Sequence, residues 1–109
     1  MKIYNIKDMT RGWFVGDFTP CAYQTSDFEV GLLTHEKDEK WPSHYHKECT
    51  EINLLVSGKM KLQDTILSSG DIFVIPPYEI ADPIFMEDCK VISIKSSSNP
   101  EDKHSFKMI

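Results

Sequence analysis

Three residues near the middle of the chain have the types and the spacing to do chemistry together. His44 and His46 are two apart, so on an extended strand both rings leave the same face. Glu51 follows and adds a carboxylate. Two imidazoles and one carboxylate suit a divalent first-row metal and leave coordination positions open for water or a ligand. Such ligation needs neutral imidazoles and an ionised carboxylate, so occupancy is expected to fall below about pH 6.

Strand register tests this grouping. Glu51 has the opposite parity to the two histidines, and one unbroken strand would carry it to the other face. A shared site therefore requires a turn or bulge within 47–50, where Lys-Glu-Cys-Thr is polar enough to break the run. With that break, Glu51, Asn53 and Leu55 point inward, and Ile52, Leu54 and Val56 pack on the other face. Two largely apolar faces fit a strand inside a two-layer barrel. The expected core is Phe28, Val30, Ile52, Leu54, Val56, Phe73, Ile75, Val91 and Ile92. Asn53 is the polar exception on the inner face and needs a partner.

The elements that must position these residues read as strands. Short β-branched and aromatic runs alternate with Gly, Pro, Asn, Asp and Ser, and helical periodicity is scarce. Strands are predicted over 2–6, 13–18, 28–35, 43–46, 51–56, 59–63, 71–75 and 90–95, an all-β sandwich or barrel. Ser57-Gly58-Lys59 reads as a tight hairpin turn, with Gly58 free to take a positive φ. Turns are also predicted at Gln63-Asp64-Thr65 and at Ser68-Ser69-Gly70-Asp71, and Pro76-Pro77 ends the strand before it. The charged stretch 36–40 reads as a solvated loop. Residues 96–109 are polar and read as a tail, packed on the barrel or loose.

Composition narrows the function classes. The chain has 109 residues, which predicts one domain over 1–109. Its formal net charge is −5 with no basic cluster, so neither nucleic acid nor an anionic membrane surface is expected as a partner. The first residues hold no apolar run long enough for a signal peptide or a spanning helix, which predicts a cytoplasmic protein. Cys21, Cys49 and Cys89 are odd in number and widely spaced, which predicts reduced thiols rather than a disulfide framework or a four-thiolate zinc site. Near the histidines, Glu48 is a solvated turn residue, a spare ligand or an acid/base group. Cys49 is expected to be a buried structural thiol. Trp41 either stacks on a ligand or covers one end of the barrel. His35 and His104 are expected at the surface, with His35 reaching the cavity from a neighbouring strand as the alternative.

The spacing His44-x-His46-x4-Glu51-x6-Gly58 resembles the latter part of the first cupin motif. Gly70, followed five residues later by Pro76, resembles the start of the second. The resemblance covers about residues 28–95. The glycine that opens the first motif falls at Asp38. In the second motif, the next glycine falls at Tyr78 and the histidine at Ala81. The resemblance implies a cupin-type jelly-roll β-barrel and a homodimer. It implies His44, His46 and Glu51 as ligands of iron, manganese, nickel or zinc, with the fourth ligand missing. Asp82, beside the missing histidine, is a possible substitute ligand. Tyr78 stands near the presumed mouth, and Glu48, Tyr78 and Asp82 are the catalytic candidates.

Three functions fit. One is a metal-dependent isomerase, epimerase or oxygenase acting on a small polar substrate, in which the metal polarises a substrate oxygen or binds oxygen. A second is a non-catalytic module that binds a small molecule, a sugar among the candidates. The third is metal-free: His44-Tyr45-His46-Lys47 is similar to the His-x-His-Lys stretch of cupin keto-sugar isomerases, which implies histidines acting as acid and base.

Overall fold

A computed structural model describes residues 1–106. The last three residues of the tail expected over 96–109 lie outside the described residues. The structure is predominantly β. Its strands are β1 (Trp13–Gly16), β2 (Tyr23–Gln24), β3 (Glu29–His35), β4 (His44–Tyr45), β5 (Glu51–Ser57), β6 (Lys59–Leu62), β7 (Thr65–Ser68), β8 (Ile72–Ile75), β9 (Ile84–Phe85), β10 (Cys89–Lys95) and β11 (His104–Ser105). A six-stranded sheet runs in the order β2-β1-β3-β10-β5-β8, a three-stranded sheet in the order β7-β6-β9, and β11 pairs with β4. Among the described residues no sheet closes on itself, and the two larger sheets meet through their side chains. No helix among these residues is long and apolar enough to cross a membrane.

The strand expected over 2–6 does not form; a single 3-10 turn at Ile6–Asp8 takes its place, capped by the Asn5 side chain. The turn at Gly58 is sharp, as read from the sequence, but it is not a hairpin. β5 pairs with β10 and β8, whereas β6 pairs with β7 and β9, so Gly58 steps the chain from one sheet to the other. Gly58 has a φ of 98°, and a Cβ there would stand 2.3 Å from the carbonyl oxygen of Asp88. Gln63 and Asp64 both have positive φ, the signature of a two-residue hairpin joining β6 to β7. β7 and β9 are short, polar-flanked strands with no alternation to announce them.

Register on the six-stranded sheet defines its inner face. Gly31, Ser93, Asn53 and Phe73 lie abreast on β3, β10, β5 and β8, and Glu29, Lys95, Glu51 and Ile75 form the next row of that face. Leu55 and Val91 continue it and meet Met60, Phe85 and Cys89 in the core. A second cluster of Leu62, Ile75 and Ala81 packs nearby, with Leu67 and Phe73 against both.

The inward set Asn53 and Leu55 is as expected, and so are Ile75 and Val91 in the core. Other expected core residues are not buried. Phe28, Ile52 and Val56 are exposed, and Val30, Leu54, Phe73 and Ile92 are half-buried. The reason is layering: the second sheet covers only the inner face of the first. The outer face carries Val30, Ile94, Ile52 and Val74 abreast, then Leu32, Ile92, Leu54 and Ile72, and Ile52, Ile72 and Val74 stay exposed among the described residues.

Candidate metal-binding cavity

The two histidines sit on a two-residue strand held from both sides. His44 exchanges backbone hydrogen bonds with Ala81, at 3.0 and 2.8 Å, while β11 pairs along the other edge of β4. The N–H of Tyr78 donates to the carbonyl of His46 at 2.7 Å. A tail segment is thus part of the framework of the site rather than a loose appendage.

After His46 the chain bends at Lys47 and Glu48 and re-enters a strand at Glu51. This break, anticipated from parity, lets Glu51 share a face with the histidines. Its cause was not visible in the sequence. The buried carboxylate of Asp102, far along the chain, accepts the backbone N–H groups of Lys47 at 2.8 Å, Glu48 at 3.1 Å and Cys49 at 3.1 Å. Burial alone would raise the pKa of Asp102, and these N–H groups overcome that and hold it below the usual carboxylate range. An Asx-type acceptor acting across such sequence distance leaves no local signal beyond the Asn99-Pro100 turn that precedes it.

His44, His46 and Glu51 converge, with one ligand atom from each within 4.8 Å of the others. Both histidines are buried and Glu51 is half-buried. Nδ1 of His44 lies 3.1 Å from the carbonyl oxygen of Pro42, which fixes a tautomer with the proton on Nδ1 and Nε2 bare. Nε2 of His46 is buried without a hydrogen-bond partner, and Nδ1 of the same ring lies 3.6 Å from Glu51. The Ser93 hydroxyl donates to the other Glu51 oxygen at 3.4 Å. Desolvation lowers the pKa of both histidines, which keeps them neutral at pH 7. A buried imidazole nitrogen without a partner, beside a carboxylate, is the donor set a divalent cation satisfies, so the residues fit such an ion.

The cluster opens into a cavity of about 950 Å³ between the two sheets. Ala81 lies directly opposite His44 and is buried there, so the position of the absent histidine adjoins the cluster but offers only a methyl group. Asp82 does not replace it: its carboxylate turns away to accept the N–H of Gln63 at 2.9 Å. Glu48 is exposed and accepts from Asn99. Tyr78 is exposed, with its ring on Tyr45 outside the cavity. None of these three lines the cavity. Tyr78 and Asp38 nonetheless hold positive φ values of 70° and 63°, the conformation that favours glycine, at the positions where the cupin motifs carry one. The backbone path survives without the glycines.

His35, expected at the surface, instead lines the cavity, stacked on Phe85 at 4.2 Å between ring centroids and paired with Glu39. Its alternation on β3 could have revealed this, since it shares parity with Leu33 and Gly31. Trp41 lines the cavity and packs against the core. His104 lies 3.6 Å from Asp102, outside the cluster. Cys49 and Cys89 are buried free thiols, as expected, and Cys21 is free and half-buried.

No family model matches the chain, and no curated protein matches its sequence. Solved structures do match its fold. KdgF from Halomonas sp. is 24% identical, with a TM-score of 0.63 over 69% of this chain and 74% of that one. An uncharacterised conserved protein with a double-stranded β-helix domain from Klebsiella pneumoniae is 17% identical, with a TM-score of 0.68 over 90% of this chain and 86% of that one. A cupin-2 domain protein from Shewanella frigidimarina is 24% identical, with a TM-score of 0.52 over 64% and 71%. The chain therefore shares the fold of these cupin and double-stranded β-helix structures, and it brings His44, His46 and Glu51 together in a cluster that could hold a metal ion.

Proposed function

We propose that this protein is a small jelly-roll cupin that binds one divalent metal through His44, His46 and Glu51, with a small polar ligand on the metal's open positions. The observation that carries the reading is the buried convergence of these groups, with Nε2 of His46 unpartnered, on a cavity large enough for a small molecule. The methyl of Ala81 beside His44 leaves room for water or ligand where a further imidazole would otherwise stand. A divalent metal held by His44, His46 and Glu51 would supply Lewis acidity toward a bound oxygen. The chain's own residues set the ring tautomer at His44, keep both imidazoles neutral by burial and hold Glu51 on the shared face.

A non-catalytic binding module is the second reading. It is favoured by the placement of Glu48, Tyr78 and Asp82 outside the cavity, which leaves no acid or base among those candidates beside the cluster. The metal-free isomerase reading is weakened by Glu51, whose carboxylate beside two neutral imidazoles completes a ligand set. A homodimer is proposed as well, built on the uncovered outer face of the six-stranded sheet.

Elemental analysis of freshly purified, untagged protein tests the reading. About one iron, manganese, nickel or zinc per chain is expected, and it should be lost in His44→Ala and His46→Ala while circular dichroism keeps its β signature. Protein that carries no metal, and takes up none on titration at neutral pH, overturns it and brings the metal-free readings forward.

A further inference from the structure

The charge around the cavity runs against the charge of the chain. The protein is acidic overall, yet Arg11, Lys95 and Lys103 all line this cavity. Arg11 and Lys103 share one aromatic support. The Arg11 guanidinium carbon lies 6.0 Å from the Trp41 ring centre and the Lys103 ammonium 4.5 Å from it. Lys95 lies 4.7 Å from the ring of Trp13.

The carboxylates of the same cavity are already engaged. Glu29 takes Lys95 at 3.6 Å and the Ser98 hydroxyl at 2.9 Å. Glu39 pairs with His35, Asp102 is filled by three backbone N–H groups, and Glu51 belongs to the cluster. Among the described residues, neither Arg11 nor Lys103 is in an ion pair. Desolvation, and then the nearby cations Arg11 and Lys95, lowers the pKa of Lys103, so a bound anion would favour its charged form.

A second observation points the same way. The Asn53 side chain, only 2% exposed, lines the cavity, and its Nδ2 donor has no partner. A buried amide donor left open costs about 1–3 kcal/mol unless something occupies it. The cavity thus offers unpaired cations, an open amide donor and a cluster suited to a metal ion. The occupant that satisfies all of these is rich in acceptor oxygens and negatively charged.

We propose that the cavity binds a small organic acid whose carboxylate is held at the rim by Arg11 and Lys103, with its remaining oxygens directed to Asn53 and to the His44–His46–Glu51 cluster. This names the ligand class for the metal site proposed above and rests on that reading only for the oxygens directed to the cluster.

The chain has two tryptophans, Trp13 and Trp41, and both line the cavity in contact with its cations. Intrinsic fluorescence therefore reports on the site directly. Zinc-loaded protein would be titrated with gluconate and with sorbitol, which carries a hydroxymethyl group in place of the carboxylate. Malonate and malonamide form a second pair. At least one acid should give a saturable change, about tenfold tighter than its neutral counterpart, and Arg11→Gln or Lys103→Gln should each weaken it about as much. Both residues are exposed, so glutamine leaves the core intact, and zinc uptake by the variants should match the parent. Equal binding of the neutral compounds, an equal response to sulfate, no saturable change with either acid at millimolar concentration, or indifference to both substitutions would overturn the assignment. Zinc uptake, measured separately, distinguishes the two readings. A protein that takes up zinc but ignores the acids refutes this inference alone. One that binds acids through Arg11 and Lys103 without zinc refutes the metal reading and leaves the anion rim standing.

Discussion

Asp102→Ala removes the side chain that shapes the bend between the histidines and Glu51. Its carboxylate accepts the backbone N–H groups of Lys47, Glu48 and Cys49 and is 5% exposed. A hydrogen bond to a charged group contributes about 1.5–3 kcal/mol, and an orphaned buried donor costs about 1–3 kcal/mol. Lys47 and Glu48 are exposed, so their N–H groups regain water, whereas the N–H of Cys49 is buried and does not. The net loss is therefore about 2–4 kcal/mol rather than the sum of three full bonds. In a domain of this size that lowers Tm by about 10 °C or more. Urea denaturation of the metal-free protein, followed by tryptophan fluorescence, measures it. Asp102→Asn keeps one acceptor oxygen and should lose about half as much. The same bend sets the face on which Glu51 emerges, so zinc affinity should fall about tenfold or more in the alanine variant, as when other groups that orient metal ligands are removed. An alanine variant within about 0.5 kcal/mol of the parent and with unchanged zinc affinity would refute the reasoning, because the bend would then be self-supporting.

Acid should act in two separate windows. His44 and His46 have lowered pKa values when folded, chiefly from desolvation, so the unfolded chain binds more protons as pH falls below about 6.5. Metal-free protein should hold a flat stability above that pH and lose up to about 1.4 kcal/mol per pH unit per histidine below it, read by urea midpoints at stepped pH. Asp102 shifts the other way. Its stabilisation is present above the ordinary carboxylate value of 3.8 and disappears as pH falls through its folded value, so Asp102→Ala should flatten the most acidic limb. The thiol of Cys49 is pushed up to about 12 by burial, and that of Cys89 is also raised by burial. A thiol-reactive disulfide reagent should therefore modify Cys21 first in native protein and reach Cys49 only on unfolding; early labelling of Cys49 would contradict its burial. If the outer sheet face is a dimer interface, Val74→Glu should convert a sedimenting dimer into a monomer without changing metal content, and a parent protein that sediments as a monomer at high micromolar concentration rules that interface out.

Local rules foresaw which side chains converge. His44 and His46 share a face because a strand alternates with period two, and Glu51 can join them only if the run breaks, which the polar stretch 47–50 permits. The same alternation aimed Asn53 and Leu55 inward. It failed on depth: Ile52 and Val56 alternate as well as any core residue, yet they lie on a face that the second sheet does not cover. Applied to His35 it would have placed the ring correctly, since parity with Leu33 carries it into the cavity against Phe85.

What the sequence by itself determined is therefore the set of groups and their parity: two imidazoles, a carboxylate, a required break, and a sharp glycine turn at Gly58. Tertiary structure decided everything that depends on residues distant along the chain. It brought Asp102 to the bend, paired Ala81 with His44 where a histidine could have stood, turned Asp82 and Tyr78 away from the cavity, and drew Arg11, Lys95 and Lys103 to its lining. The physical reason is that periodicity encodes only which way a side chain leaves its own strand. Which other strand or loop it meets there depends on the pairing of the sheets, and no local pattern in this chain specifies that pairing.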